Sequence, residues 1–471
     1  MKVNVKRSLV AAAVAAVIAA PAAHATNGYF VHGNSAKSNG MGGASLAYAQ
    51  DAMASASNPA GIALVGNRAD FGVTLFNPLR DGQIDATRIG GADTGQVDSG
   101  ATLFAIPNMG FVYNMGNIST GLSFAGNGGM NTRYNSNIYT DAFAPAIPGF
   151  VGMLSTAYPP LAGTIMANAG ALATNPNIGP SLGVNLAQLI IAPTVATKIT
   201  PDHSIGASLL VGYQSFRSYG LGLFQPLSSD PMHTTNTGND DAWGAGVRLG
   251  WTGNITSNIS LGAQYSSKIY MQEFNEYAGL FAEQGDFDIP ANFGVGLSMK
   301  VTPQTTVAFD VQQIQYGDVA SIANKGPTAD EFLGALSSTL MTGSYAGPGQ
   351  LGTDNGWGFG WEDITVFKLG IDHELNSQWT VRGGVDIGGN PIDEDQNMFN
   401  IIAPGVVENH LTLGFTYSPD QYSEITANYM HAFYEDQSYT YQGTGGFAPF
   451  SYDTKIGMDQ NAFEISYGVK F

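Results

Sequence analysis

The chain contains no cysteine in its 471 residues, which excludes a disulfide framework and thiolate metal sites. Charge is scarce too. Asp, Glu, Lys and Arg make up 12% of the residues, against about a quarter in ordinary soluble domains. The shortage falls hardest on bases, with 18 Lys and Arg against 37 Asp and Glu and a formal charge of −19. That sign argues against a nucleic-acid partner and against polybasic adhesion to anionic lipid. Long apolar runs are missing as well: past the first 25 residues no segment offers the ~18 consecutive apolar residues of a spanning helix. Gly-x-Ser-x-Gly, Ser-x-x-Lys and His-Glu-x-x-His are all absent. His203, His233, His373, His410 and His431 are scattered near strand ends, whereas a hydrolase would need one of them beside a serine.

What the chain does have begins with an export signal. Lys2, Lys6 and Arg7 precede an apolar run over residues 9–20 and the small-x-small site Ala23-His24-Ala25. Residues 1–25 therefore read as a signal peptide, with the mature chain starting at Thr26. Removing three bases and no acids moves the formal charge from −19 to −22.

Period-two alternation dominates the rest. Phe463, Ile465, Tyr467, Val469 and Phe471 alternate with Glu464, Ser466, Gly468 and Lys470, giving a strand with one apolar and one polar face. Trp243 to Trp251, Phe293 to Met299 and Leu411 to Tyr417 repeat the pattern. A soluble sandwich alternates too. Segments of ten or more residues, small residues on the polar face and aromatics at strand ends fit instead a lipid-facing wall around a narrow, filled lumen. About fourteen such runs occur, at 70–80, 108–115, 118–127, 187–200, 203–217, 241–252, 258–274, 287–300, 304–316, 361–374, 378–390, 406–418, 421–436 and 460–471. Short connections alternate with long ones, which places both chain ends in the periplasm. The fold expected is all-β: a 14-stranded antiparallel transmembrane barrel over 69–471, plugged by an N-terminal hatch over 26–68 with short helices. Its long loops lie at about 128–186 and 317–360.

Within the hatch, residues 41–61, "MGGASLAYAQDAMASASNPAG", read as a soft helix that Pro59 ends by disfavouring helical geometry at Asn58. The segment "GNGG", Gly126, Asn127, Gly128 and Gly129, reads either as an approach to a surface loop or as a broken ladder that leaves a hole in the wall. Any such hole must be lined by the hatch, because unsatisfied backbone facing lipid is costly.

Two loops stand out. Residues 142–197 carry no Asp, Glu, Lys or Arg, although an extracellular loop should be solvated. Ile147, Phe150 or Val151, and Leu154 follow helical spacing, as do Leu161, Ile165, Ala169 and Leu172. Thr328 and Glu331 form a capping box ahead of Phe332, Leu336 and Leu340. The helices either pack together or leave between them an apolar groove for a water-insoluble molecule. Groove candidates are Phe150, Leu154, Leu161, Ile165, Phe332, Leu336 and Leu340. On neighbouring strands Lys368 and Arg382 face inward, where they pair a substrate carboxylate or balance lumenal acids such as Asp372. Asp393, Glu394 and Asp395 hold Ca²⁺ or form a solvated charge run.

The segments "ATNGYFVHG", "SAKSNGMGGAS" and "QDAMASASNPAG", with the aromatic final strand, resemble the FadL/TodX family of outer-membrane transporters for hydrophobic compounds, nearer its aromatic-hydrocarbon branch. The resemblance implies a monomeric, hatch-plugged barrel without cofactor or catalytic residues, in the outer membrane of a Gram-negative bacterium. Substrate would pass from an outer groove to an internal pocket and leave sideways where the third strand bends. The family's hatch motif carries over to Asn58, Pro59 and Ala60, and its kink to residues 126–129. Implied partners are a hydrophobic small molecule (fatty acid or aromatic hydrocarbon), outer-membrane lipid and lipopolysaccharide, and the barrel-assembly machinery through the strand ending in Phe471. The rival functions are a general diffusion porin, with a charged constriction and no plug, and an outer-membrane hydrolase.

Overall fold

The computed structural model describes residues 27–444 and 450–471; the signal peptide and the mature start at Thr26 lie outside them. Fourteen long strands form one antiparallel sheet: β1 (Arg68–Asp85), β2 (Phe104–Met115), β3 (Ile118–Gly128), β4 (Gly183–Lys198), β5 (His203–Tyr219), β6 (Asp240–Asn254) and β7 (Ile259–Ser266), then β8 (Asn292–Thr302), β9 (Thr305–Ile314), β10 (Ile364–Glu374), β11 (Trp379–Gly388), β12 (Asn409–Tyr417), β13 (Ser423–Gly443) and β14 (Phe450–Lys470). Each strand pairs with its sequence neighbours. The last pairs with the first from Arg68↔Lys470 to Asp85↔Asp453, so the sheet closes into a barrel. Closure removes the hydrogen-bonding edge that a spanning sheet could not expose to lipid.

Which side faces out follows from the alternation. Phe293, Val295 and Leu297 on β8, Phe367, Leu369 and Ile371 on β10, and Leu411, Leu413 and Phe415 on β12 are all exposed on the outer wall. Exposed apolar side chains in such a continuous band are what a bilayer requires and water penalises. Among the described residues no helix is long and apolar enough to cross a membrane. Six short turns lie at the end holding both termini of the barrel, and the long loops lie at the other.

Strand bounds depart from the sequence reading mainly at that second end. The first strand runs to Asp85 rather than 80, the thirteenth to Gly443 rather than 436, and the fourteenth starts at Phe450 rather than 460. There β1, β13 and β14 keep pairing with one another beyond the apolar band, so polar residues such as Gln83 and Lys455 sit in strand without any dyad to mark them. The seventh strand stops at Ser266 rather than 274.

Residues 27–67 fill the lumen. The soft helix expected over 41–61 is not there: only α1 (Ala36–Asn39), α2 (Ala54–Ser57) and a 3₁₀ turn at Pro59–Ala63 are helical. Barrel side chains outcompete the helix for the hatch's backbone donors. Thr412 accepts from Gly42 N at 2.8 Å, Asp310 from Ser45 N at 2.6 Å and Leu46 N at 2.9 Å, and Asp70 from Ala52 N at 2.8 Å. Every buried N–H needs a partner, and in a polar lumen that partner need not be the next turn. Ionic ties complete the seat: Lys37 lies 2.5 Å from Glu424, which Arg68 also grips while holding Asp70 at 2.6 Å.

Space for the plug comes from inward glycines. A Cβ on Gly384 of β11 would collide with the Met41 backbone, and one on Gly250 of β6 with Asn58 and Pro59. Gly384→Leu is therefore expected to leave a folded barrel with an unseated hatch. Trypsin should then cut after Lys37, buried in the native protein, while the heat-modifiable electrophoretic band of the folded barrel persists; an uncut Lys37 would contradict this seating.

Candidate functional site

At the long-loop end three helices cover the barrel mouth: α4 (Ile147–Ala157), α5 (Ala162–Ala173) and α6 (Ala329–Thr342), with the shorter α3 (Ile138–Phe143) below. Thr328 and Glu331 form the capping box of α6, the Thr328 hydroxyl accepting from Glu331 N and the Glu331 carboxylate from Thr328 N. Leu154, Ile165 and Leu340 are fully buried in one cluster that ties the three helices together, and Asn168 donates to the Leu340 carbonyl at 3.0 Å. These three groove candidates are thus packing residues. Leu161 lies on the surface.

Beside that cluster is a groove of about 320 Å³ whose apolar lining includes Phe150, Met153, Leu227, Phe332 and Leu336. Three of the sequence candidates are in it: Phe150, Phe332 and Leu336. Among the described residues its only charged one is Arg88, whose guanidinium is held by Asp453 at 2.7 Å.

Deeper in the barrel lies a pocket of about 40 Å³, lined by Tyr139, Phe216, Phe224, Phe281, Trp357 and Phe399 among others. From its wall a series of rings descends. Phe281 meets Phe287 at 4.8 Å, Phe287 meets Tyr29 at 6.5 Å, and Tyr29 meets Phe30 at 5.3 Å. Spacings of this order suit tilted aromatic packing. The series ends on the first described residues of the hatch. Tyr316 fixes them, accepting from Tyr29 N at 3.1 Å and Phe30 N at 3.4 Å and donating to the Asn27 carbonyl at 2.5 Å. Burial pushes the Tyr316 phenol above its ordinary range.

Phe30 then opens onto a polar cavity of about 60 Å³ between hatch and wall, lined also by Asn127, Arg248, Asp310 and Lys368. Here β3 changes neighbour. It pairs with β2 only from Ile118 to Phe124, while residues 104–108 of β2 pair with β1 alone. Past Phe124 the strand turns in toward the hatch, with Gly128 bridging Phe30 and the Asn127 carbonyl accepting from Val31 N at 3.2 Å. Its register against β4 slips between Gly126 and Gly128, a bulge. A Cβ on Gly128 would collide with the Tyr29 carbonyl. The glycines at 126–129 thus sit where the strand approaches the hatch backbone. Pro107, with no N–H to offer a neighbour, lies on the β2 segment that β3 leaves. Outside, Met109, Phe124 and Leu189 pack over the junction.

The remaining predicted residues are placed as follows. Asn58 caps the 3₁₀ turn through its Oδ1, which accepts from Ala60 N at 3.1 Å, and its amide donates to Leu46 O at 2.8 Å and Trp251 O at 2.9 Å. Pro59 starts that turn, and the Ala60 carbonyl accepts from Ser204 Oγ at 3.1 Å. The motif therefore stitches the hatch to β5 and β6 as well as stopping α2. Lys368 and Arg382 are not brought together. Lys368 donates to His32 O at 2.7 Å and to Gln312 at 2.9 Å on the polar cavity, whereas Arg382 is salt-bridged to Asp372 at 2.8 Å. Asp393 pairs with Lys325 at 3.2 Å, and among the described residues no cluster of metal-ligating side chains forms. Arg248 was missed by sequence reasoning. It donates to Ser266 at 2.6 Å and to Ala56 O at 2.5 Å, and its signal was the one that flagged Lys368, a lone cation on a strand's polar face.

A closed fourteen-stranded barrel with an apolar outer band and a seated plug defines an outer-membrane channel. The description "Outer membrane protein transport protein (OMPP1/FadL/TodX)" matches residues 179–471, and the chain belongs to that family. Its members are transport channels for hydrophobic compounds rather than enzymes, and their place is the outer membrane of Gram-negative bacteria. Solved structures agree on the fold. The toluene transporter TodX of Pseudomonas putida is 19% identical, with 93% of this chain and 99% of that one covered at a TM-score of 0.60. A FadL homologue of Pseudomonas aeruginosa is 14% identical over 94% and 100% at 0.64, and the toluene transporter TbuX of Ralstonia pickettii 19% identical over 93% and 99% at 0.55. No curated protein matches the chain in sequence.

The Arg382–Asp372 pair is buried at both ends. Breaking it with Arg382→Met should cost about 3–5 kcal/mol by leaving a carboxylate stranded, and adding Asp372→Leu should recover most of that. Denaturant unfolding in lipid vesicles reads both. Equal stability of the single and double variants would contradict a stranded carboxylate.

Proposed function

We propose that the chain takes up hydrophobic small molecules, aromatic hydrocarbons or long-chain fatty acids, by passive diffusion along a route of three stations. Ligand lodges in the groove between α4 and α6, passes to the aromatic pocket, and leaves sideways where β3 parts from β2. The long loops then face the medium and both termini the periplasm. The observation that carries the reading is the nearly charge-free sequence of apolar surfaces, from Phe332 in the groove through Phe281 and Phe287 to Phe30, ending at the one place where the β2–β3 ladder stops. Removal of apolar surface from water is worth about 25 cal/mol per Å², enough to draw such a molecule past a polar saccharide layer without an energy source.

The lumen does not suit a general diffusion porin. Residues 27–67 occupy it, and Arg382, Arg68 and Lys37 are bound to acids rather than arrayed around open water.

Two substitutions test the exit. Replacing Gly126 with Thr and Gly129 with Val favours a straight strand at the bend, and uptake of toluene by intact cells that rely on this channel should fall at least tenfold. Uptake of a small sugar and the amount of folded barrel in the membrane should stay unchanged. Undiminished toluene uptake with full insertion would remove the exit from β3, and equal loss of toluene and sugar would favour a porin.

A further inference from the structure

The groove and the inner pocket are separate cavities, and residues 221–227, in the loop from β5 to β6, stand between them. Side chains of this segment alternate between the two: Leu223 and Leu227 line the groove, Leu221 and Phe224 the pocket. The backbone is pinned from both sides. Asn175 donates to Gly222 O at 3.0 Å and to the Gln225 amide oxygen at 2.8 Å, Gly222 N donates to Asn177 O at 3.2 Å, and the Gln225 amide donates to Pro231 O at 2.8 Å. A Cβ on Gly222 would meet the Asn177 backbone, so the segment sits tight against the end of the α5 loop. Movement of the segment as a whole would break all four bonds.

Phe224 is different, because its ring is held by packing alone. It stands edge-on to Tyr139 at 4.9 Å and to Phe399 at 5.4 Å, and tilted against Phe332 of the groove at 6.3 Å. Of these partners Tyr139 and Phe399 line the pocket, while Phe332 lines the groove. The residue is 2% exposed, and in a fully packed interior its ring would have nowhere to turn. Here it borders the pocket of about 40 Å³ directly, and Phe332, against which it leans, lines the groove of about 320 Å³. A fixed backbone, a side chain without polar ties, a void on the pocket side and the groove-lining Phe332 on the other describe a door between the two.

We propose that Phe224 is the specificity-determining residue of the route, its ring forming the partition that a ligand must turn aside between groove and pocket. The small pocket beyond it, of about 40 Å³, favours a single flat ring or an extended alkyl chain over a fused bicyclic hydrocarbon. The inference rests on the groove reading above, since without a ligand in the groove the partition has nothing to admit.

The test compares Phe224→Ala, Phe224→Trp and Phe332→Trp, with Phe224→Leu as a milder variant should Trp not insert. Uptake of toluene and of naphthalene is measured in intact cells that rely on the channel. Binding of the neutral probe N-phenyl-1-naphthylamine is measured on purified protein, and heat-modifiable migration reports folding. Phe224→Ala should raise the naphthalene-to-toluene uptake ratio at least threefold, with Phe224→Leu raising it in the same direction. Phe224→Trp should cut uptake of both at least fivefold while probe binding stays within twofold of the native protein. Phe332→Trp should lower probe binding and uptake together. An unchanged ratio in both smaller variants, undiminished uptake in Phe224→Trp, or a parallel loss of its probe binding would overturn the partition. Unchanged uptake and binding in Phe332→Trp would instead overturn the groove reading beneath it.

Discussion

Inside a bilayer no water is available to satisfy a backbone N–H or C=O, so a spanning sheet has to close on itself or be covered. In this molecule the sheet closes on itself, but the ladder shared by β2 and β3 ends at Met109↔Phe124 while β3 runs on to Gly128. The hatch supplies the missing neighbour: Phe30 bridges Gly128 and Val31 donates to Asn127 O. The plug is therefore part of the wall. Seating it and sealing the barrel are one requirement, and the position of the lumenal charges follows from that.

Charges inside the lumen are used largely for this seat. Glu424 collects Lys37 from the hatch and Arg68 from β1, and Glu464 accepts from Asn39 of the hatch at 2.6 Å and from Asn108 at 2.8 Å. A buried ion pair gains little over a well-packed apolar replacement, while losing one partner is expensive. Such pairs act as registration devices, penalising any other placement of the hatch more than they reward this one. The same need explains a wall rich in inward glycine, which lets main chain lie against main chain at Gly384 and Gly250. It also explains a stable exported barrel with no disulfide.

The fold was legible because lipid imposes a two-residue period on every strand that meets it. Trp243 to Trp251 or Leu411 to Tyr417 cannot alternate that way in a helix, and the strand count came out at fourteen. Where the lipid ends the period ends, and the outer halves of β1, β13 and β14 went unread. The hatch was misread over 41–61 because helix propensity assumes the backbone's best partner is itself, whereas Asp310, Thr412 and Asp70 lie more than 15 residues away in sequence and closer in space. The site was half legible. Apolar helical spacing placed Phe150, Phe332 and Leu336 in the groove but could not separate them from Leu154, Ile165 and Leu340, which share the period and face the neighbouring helix. Phe224, Phe281 and Phe287 carried no signal, being lone aromatics in loops whose convergence is a property of topology.

On the proposed route the polar cavity beside the bend acquires a purpose. An apolar molecule reaching Phe30 meets Lys368, Arg248, Asp310 and Asn127 ahead of it. Displacing the partners of such groups, or the water around them, without replacing their hydrogen bonds costs on the order of 1–3 kcal/mol per group. To the side lie Met109, Phe124 and Leu189 and, beyond them, the apolar band of the outer wall. The gradient of solvation therefore turns the ligand outward at the level of β3, and no moving plug is needed to block the straight path. A polar plug and a lateral exit are two halves of one partitioning argument: the more firmly the hatch is bonded into the lumen, the more completely an apolar solute is sent through the wall.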